Sequence, residues 1–432
     1  MRRFGPRPAC GRLCAPHWGL RVVLARSQYR ARVAPRRDFW LLWFGQGASS
    51  LGSAISDIAY PLLVLGAGGS PFEAGLLGLA STGSRLLLRL VAGLVVDMLP
   101  RRALLLWCDA GRALVVGSLA ITLLSGIDSF ALVLAVLFIE GGLSVVFFAA
   151  ERAVLRTLVP RDQLTGAIAK NQIYFQFATL AGPPLGGITF AIAHTLPFIV
   201  DAISYVASAL LIIAIKADLG QAGERGKVSV NDVFSGWRWI WLDRPGRASL
   251  LHLGGINALL AGLPLVVILN ARAAGSSGPV IGTLFAAGGI GGIAGALLLP
   301  WLRGRWSDWA IVTVASWIWP IMLVTTSVDY AAWRTAVMLF LLSTTIAPMQ
   351  SIVFGYQTAH APQELQGRVH AAVNLVSNGL TPLAPVAVGY LAERWGVASP
   401  GTALVVMATF IALYASVSRP MRELCLTPIE PR

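Results

Sequence analysis

Residues 92–102 read AGLVVDMLPRR, a long apolar run cut off by Asp97, Pro100, Arg101 and Arg102. The apolar residues leading into it from about Ala74, and those following it from Ala103 to about Gly126, each reach the roughly 20 helical residues that cross a hydrocarbon core. Two crossings therefore share one short charged turn, and cationic turns favour the cytoplasmic side of a membrane. The pattern recurs along nearly the whole chain, which argues against a soluble helical hairpin. Of 432 residues 56% are hydrophobic and 12% charged, and mean hydropathy is +0.70, outside the range of a domain that must keep a charged surface.

Apolar segments fall at roughly 39–66, 74–96, 102–126, 130–150, 166–193, 196–216, 248–270, 279–302, 308–327, 333–355, 368–391 and 399–418. The expectation is an all-α polytopic membrane protein of about twelve transmembrane helices in two pseudo-symmetric six-helix halves. Its expected units are a basic, disordered cytoplasmic leader (1–37), an N-terminal half (38–216), a cytoplasmic linker with an interfacial helix (217–247), a C-terminal half (248–418) and a cytoplasmic tail (419–432). The leader carries ten Arg and no acid, and lacks the apolar core and small-residue cleavage site of a secretory signal. A mis-assigned start codon ahead of a true beginning near Arg36 would look the same. Arg and Lys concentrate in alternate loops, so both termini are expected in the cytoplasm of a cell with its plasma membrane as host. The same placement accounts for the formal charge of +14 without nucleic acid as a partner. Cys10, Cys14, Cys108 and Cys425 form no metal or disulfide spacing.

The long polar break, Ala217 to Arg247, ends in DVFSGWRWIWLDRP, where Trp237, Trp239 and Trp241 suit the headgroup level. On either side of it the halves echo each other. Leu158 to Gly166 reads LVPRDQLTG and Ala361 to Gly367 reads APQELQG; each precedes a helix with an early Asn (Asn171, Asn374) and a mid-span Pro (Pro183, Pro385). The offset of about 200 residues indicates a parallel repeat, a common transporter plan.

Five stretches in order carry a family resemblance over about Arg37 to Arg419. They are Gly93 to Arg102, with its Gly, Asp and paired Arg; Asp109 with Arg112; FFAAERAVLRTLVPRDQL from Phe147; GPPLGG from Gly182; and the segment Asp232 to Pro245. The chain resembles the major facilitator superfamily, in the branch similar to the enterobactin exporter and macrolide-efflux proteins. Met98 and Pro100 depart from the usual residues of the first loop, and its second-half counterpart LLPWLRGR from Leu298 lacks the Asp. The resemblance implies a conformational latch formed by Gly93, Asp97, Arg101, Arg102 and Glu151. In it Asp97 faces the start of helix 11 near Gly367 and Arg368, and Arg101 reaches Glu151. An aspartate at free helix N–H groups gains about 0.3–1 kcal/mol from the macrodipole, so such a latch can be made and broken. The resemblance also makes Gly182, Pro183, Gly186 and Gly187 an antiporter-like motif; in physical terms these residues permit close packing and a kink.

Asp57, Arg85, Arg89 and Glu140 lie deep in their spans. An ionised side chain there costs at least about 2.5–3.5 kcal/mol, so each needs a partner or a water-filled cavity. Arg85 and Arg89 sit one turn apart and ask for two anions, which Asp57 and Glu140 can supply. A carboxylate whose Arg partner moves away takes up a proton, so these four are the proton-coupling candidates, against a static ion-pair network. Asp109 with Arg112, and Asp201, read as structural. Gln46, Tyr60, Gln172, Gln176, Asn257, Gln350, Asn374 and Asn378 are candidates to line a substrate cavity, or equally to join helices by hydrogen bonds.

No catalytic or metal site is found. The histidines form no metal-spaced pair, there is no Gly-x-Ser-x-Gly elbow, and GQAGERGKVS at Gly220 misses the phosphate-loop spacing. No cofactor is called for. The reading is a non-enzymatic, monomeric, secondary active transporter. It is expected to export an amphipathic small molecule such as a drug, siderophore or other natural product, exchanged for protons by alternating access. A membrane-embedded enzyme or a non-transporting scaffold is the alternative.

Overall fold

The computed structural model describes residues 36–220, 237–327, 330–362 and 366–426; the expected leader, most of the linker and the last six residues lie outside them. The N-terminal half consists of α1 (Arg36–Gly66), α2 (Pro71–Met98), α3 (Arg101–Leu124), α4 (Phe130–Leu158), α5 (Leu164–Ile192) and α6 (Leu196–Ala214). The C-terminal half holds α7 (Arg244–Ala273), α8 (Gly278–Arg303), α9 (Asp308–Leu323), α10 (Ala332–His360), α11 (Gln366–Ser377), α12 (Leu383–Trp395) and α13 (Ser399–Val417), followed by a short α14 (Arg419–Leu426).

Nine of the described helices are long and apolar enough to cross a bilayer alone, and α2, bent near Leu90, makes a tenth when its two arms count as one span. Lys170, Asn171, Gln172 and Gln176 dilute the hydropathy of α5, which packs between α1 and α8 with the length of a span. The eleventh segment is in two pieces. Where the apolar pattern predicts one helix over 368–391, the chain breaks between α11 and α12 at residues 378–382. Pro382 has no N–H to continue the ladder, and the turn closes instead through Thr381 N–H to Asn378 O, 3.1 Å, and Asn378 N–H to Asn374 O, 3.2 Å. With α11 and α12 taken as one broken span the chain makes twelve crossings, so both chain ends lie at one end of the bundle, called here the terminal end.

Short turns set this alternation. Ser70 and Glu73 form a reciprocal capping box that starts α2, with Pro71 at its first turn. Asp243 caps α7 by accepting from Gly246 N–H at 2.8 Å. Between helices the backbone reverses through Gly68, Gly126, Gly275 and Gly396, all at positive φ.

The distribution of buried side chains separates the two ends. At the end away from the termini one apolar cluster runs through both halves, from Ile58, Leu62, Leu119 and Val136 to Leu259, Leu263, Trp319 and Leu339. At the terminal end the core divides. Leu105, Phe147, Val154 and Ile212 form a cluster inside the N-terminal half, while Val312, Ile352 and Met421, and Leu250 with Val373, form two others inside the C-terminal half. Among the described residues a shared apolar core thus joins the halves at the far end, whereas the buried clusters at the terminal end each stay within one half.

Glycines allow that junction. A Cβ on Gly75 would stand 2.5 Å from the Pro385 carbonyl oxygen, and one on Gly389 would overlap the Pro71 carbonyl. Across the second seam, a Cβ on Gly187 would overlap the Gly278 carbonyl and one on Gly282 the Pro183 carbonyl. Backbones approach to this distance only without side chains between them. Nearer the terminal end, Gly93 on α2 and Gly166 on α5 have nothing within 4 Å of a built Cβ.

Candidate functional site

Where the two halves meet, a cavity of about 380 Å³ is enclosed by α1, α2, α4 and α5 from one half and α7, α8 and α12 from the other. Its walls are mostly apolar. Four helices each turn a mid-span proline to it: Pro61, Pro183, Pro264 and Pro385. These fall in two pairs about 200 residues apart, Pro61 with Pro264 and Pro183 with Pro385, which is the offset of the sequence repeat. A larger groove of about 980 Å³ between α7 and α13 lies within the C-terminal half and has no Asp, Glu, Lys or Arg in its wall. The smaller cavity is therefore the one that joins the halves and carries charge.

Asp57 and Arg85 are its charged wall residues. Asp57 is exposed to the cavity although it lies in the middle of α1. Arg85 is half-buried, and its Nε has no hydrogen-bond partner among the described residues. The two share one wall without closing a salt bridge there. Glu140 does not join them. It is 1% exposed and turns into the N-terminal half, where Tyr205 donates to its Oε1 at 2.9 Å. Arg89 is exposed and forms no salt bridge with an acid among the described residues. The four charges expected to form two ion pairs are thus divided into a cavity pair, a buried acid and an exposed base.

The core of the N-terminal half has its own polar network. Arg112 pairs with Asp109 one turn back on α3, both buried. Its guanidinium lies between the rings of Phe147, 4.5 Å, and Tyr205, 4.4 Å. The Tyr205 hydroxyl also meets Ser53 Oγ at 2.8 Å, and Ser56 donates to Asp201 Oδ2 at 2.6 Å. Asp201 thereby belongs to a network that ties α6 to α1.

At the terminal end of this half the expected latch residues take other partners. Arg101 donates to Thr157 Oγ1 at 3.2 Å. Glu151, 4% exposed, accepts from Asn171 Nδ2 at 3.0 Å and from the Tyr174 hydroxyl at 3.1 Å, so Arg101 and Glu151 are not joined. Arg102 donates to the carbonyls of Ile212, 3.2 Å, Ile213, 2.8 Å, and Ile215, satisfying the orphan acceptors at the C-terminal end of α6. Asp97 is half-buried at the end of α2; of its implied partners at the start of α11, the surroundings of Gly367 and the side chain of Arg368 are not among those described. The antiporter-like motif divides by face. Gly182 and Gly186 pack on Ala54, Ile55 and Ile58 of α1, and Pro183 and Gly187 face α8.

Of the eight cavity candidates, Tyr60 lines the cavity, its ring 4.9 Å from that of Phe198 and its hydroxyl without a partner among the described residues. Gln176 lies 3.8 Å from a Cβ built on Gly292, on the seam with α8. Asn257 donates to Ser377 O at 3.1 Å, and Asn378 to Asn374 O at 2.8 Å, holding the break between α11 and α12. Gln46 is buried in α1, Gln350 half-buried in α10 and Gln172 exposed on α5. The apolar wall, with Pro264, Phe285 and Leu265, was not picked out by a search for polar residues; the paired mid-span prolines were the signal that could have found it.

The family model described as transmembrane secretion effector matches residues 31–430. The chain is 25% identical over 411 residues to the multidrug efflux pump Tap of Mycolicibacterium fortuitum, covering 90% of this chain and 98% of that one. It is 24% identical over 352 residues to the uncharacterised MFS-type transporter YkuC of Bacillus subtilis, with 78% and 81% covered. Among solved structures it is similar to a point mutant of the nucleoside transporter NupG, with TM-score 0.73, 10% identity and 90% and 98% of the two chains covered. It is also similar to a bacterial homologue of the iron transporter ferroportin in an inward-facing state, with TM-score 0.66, 17% identity and 89% and 100% covered. With the family model spanning almost the whole chain, and two six-helix halves closed around a shared cavity, the chain belongs to the transmembrane secretion effector family of major facilitator transporters.

Proposed function

We propose that this transporter is a proton-coupled exporter of an amphipathic small molecule, working by alternating access. The observation that carries the proposal is the cavity between the halves: bounded on one side by glycine seams and a continuous apolar core, it holds an exposed aspartate beside an arginine that closes no salt bridge among the described residues. An apolar pocket with few polar groups suits a drug-like amphiphile, and the similarity to multidrug efflux pumps supports export. Loop charge assigns the terminal end to the cytoplasm, so this conformation faces inward, ready to load.

In this reading Asp57 is the proton carrier and Arg85 its conformational partner. When the halves rock, the Asp57–Arg85 separation and the water around them change together, and the carboxylate gains or loses its proton accordingly. Glu140 serves the core. Asp97, Arg101 and Arg102 act in the opposite state, when the terminal end closes and Asp97 meets the start of α11. The test is accumulation of a panel of antibiotics and dyes in an efflux-deficient bacterial host with and without this protein. Lower accumulation that is abolished by a protonophore supports the reading; unchanged accumulation of the whole panel contradicts it.

A further inference from the structure

Glu140 and Glu151 on α4 are both buried and turned inward, to Tyr205 and to Asn171 with Tyr174. Arg89 and Arg152 are exposed and Arg85 is half-buried. Leu77, Ser81 and Arg85 line the cavity at successive turns of α2, and Arg89 is the next step of the same face toward the terminal end. Arg89 is exposed and forms no salt bridge among the described residues. Arg152 is exposed next to Glu151, whose carboxylate meets Asn171 and Tyr174 of α5, and α2 packs along α4, so Arg152 lies on α4 near its terminal end. Three guanidinium groups thus mark a path from the terminal end to the midplane cavity, with Asp57 as the acid on the cavity wall.

Positive-inside anchoring explains cations in loops, but not an arginine inside a span on the wall between the halves with a second one turn nearer the terminal end. A guanidinium within a membrane needs an anion; Glu140 and Glu151 are hydrogen-bonded inside the half, and Asp57 is the acid that shares the cavity wall with Arg85, so guanidinium groups outnumber available carboxylates along this path among the described residues. Guanidinium groups are suited to hold carboxylate or phosphate by two parallel hydrogen bonds.

We propose that Arg152, Arg89 and Arg85 form a cationic ladder that admits and holds the anionic group of the substrate, a carboxylate or phosphate on an apolar body. The proposal rests on the transporter reading above and narrows its substrate class to amphipathic anions. Asp57, next to the top of the ladder, then competes with the bound anion for Arg85, so that binding and protonation are linked at one site.

The test uses two dyes of similar size and opposite charge, fluorescein and ethidium, with the purified full-length protein in neutral detergent. Fluorescence anisotropy should show tighter binding of fluorescein, weakened by added salt. Arg89→Gln and Arg152→Gln should each weaken it roughly three- to tenfold and move the preference between the dyes toward ethidium, and Arg89→Lys should restore part of the loss. Equal or tighter binding of ethidium, no binding of fluorescein, or fluorescein binding indifferent to both variants overturns the proposal. Displacement of the dye by micellar phosphatidylglycerol at equal concentration also overturns it and assigns the ladder to a lipid headgroup. Transport is read separately in proteoliposomes: energised movement of ethidium without fluorescein leaves the exporter standing and removes the ladder, whereas fluorescein bound but moved by no gradient does the reverse.

Discussion

Arg112 shows how a charge is kept inside a membrane-spanning bundle: one carboxylate, Asp109, meets it edge-on, and two aromatic faces, Phe147 and Tyr205, cover it. Removing the arginine alone strands Asp109 in the core. Arg112→Leu should therefore cost about 3–5 kcal/mol and deplete folded protein, read as loss of the monodisperse peak of a fluorescent fusion in detergent. The double variant Asp109→Asn, Arg112→Gln should recover much of the signal; equal loss in single and double variants contradicts the pairing. Arg102 offers a milder case at the surface. Its guanidinium closes the carbonyls at the end of α6, so Arg102→Gln should lower thermal stability by about 1 kcal/mol, a smaller loss than Arg112→Leu in the same melting assay. These roles were only half legible in the residues. The resemblance marked Asp109 with Arg112, whereas reading Asp57 and Glu140 as the anions for Arg85 and Arg89 set together residues that the structure separates, because a helix face says which residues are neighbours on one helix and not which neighbouring helix they meet.

At the level of elements, the seams α2–α12 and α5–α8 are where the halves touch, and each is made by glycines and prolines rather than by polar locks. Gly187→Leu would drive a branched side chain into the backbone of α8 at Gly278. The far end should then fail to close, and a cysteine at Leu265 on the cavity wall should become reactive toward an impermeant thiol reagent applied from that side. Unchanged reactivity of that cysteine in folded Gly187→Leu protein would contradict the seam as the far-side gate. Helix existence followed directly from apolar length, and each predicted segment but the one over 368–391 corresponds to one helix, that of α2 being sharply bent near Leu90 and that over 308–327 ending in a 3-10 turn. The break between α11 and α12 was not anticipated, because hydropathy does not register that Pro382 removes a backbone donor in the middle of an apolar stretch. Which glycines are structural was equally hidden: Gly93, expected in a latch, stands clear in this conformation, whereas Gly75 and Gly389, singled out by no motif, carry close backbone approaches between the halves.

For the whole molecule, the described residues form one fused core at the far end and separate cores at the terminal end, the asymmetry that the alternating-access proposal calls for. Sidedness is a separate claim, resting on loop charge: with both termini cytoplasmic, a cysteine at Ser276, in the turn after α7, should be labelled by an impermeant reagent in intact cells, and one at Ser229 should not. Reversal of that pattern would invert the direction of every step. The central claim is that Asp57 on the cavity wall exchanges a proton for substrate. It is tested most directly in proteoliposomes holding wild type or Asp57→Asn in matched folded amounts, by following flux of a substrate found in the accumulation screen with and without an imposed pH gradient. The account predicts that wild type concentrates substrate when the gradient is imposed, whereas Asp57→Asn only equilibrates it downhill; an Asp57→Asn protein that still concentrates substrate in response to the gradient contradicts it.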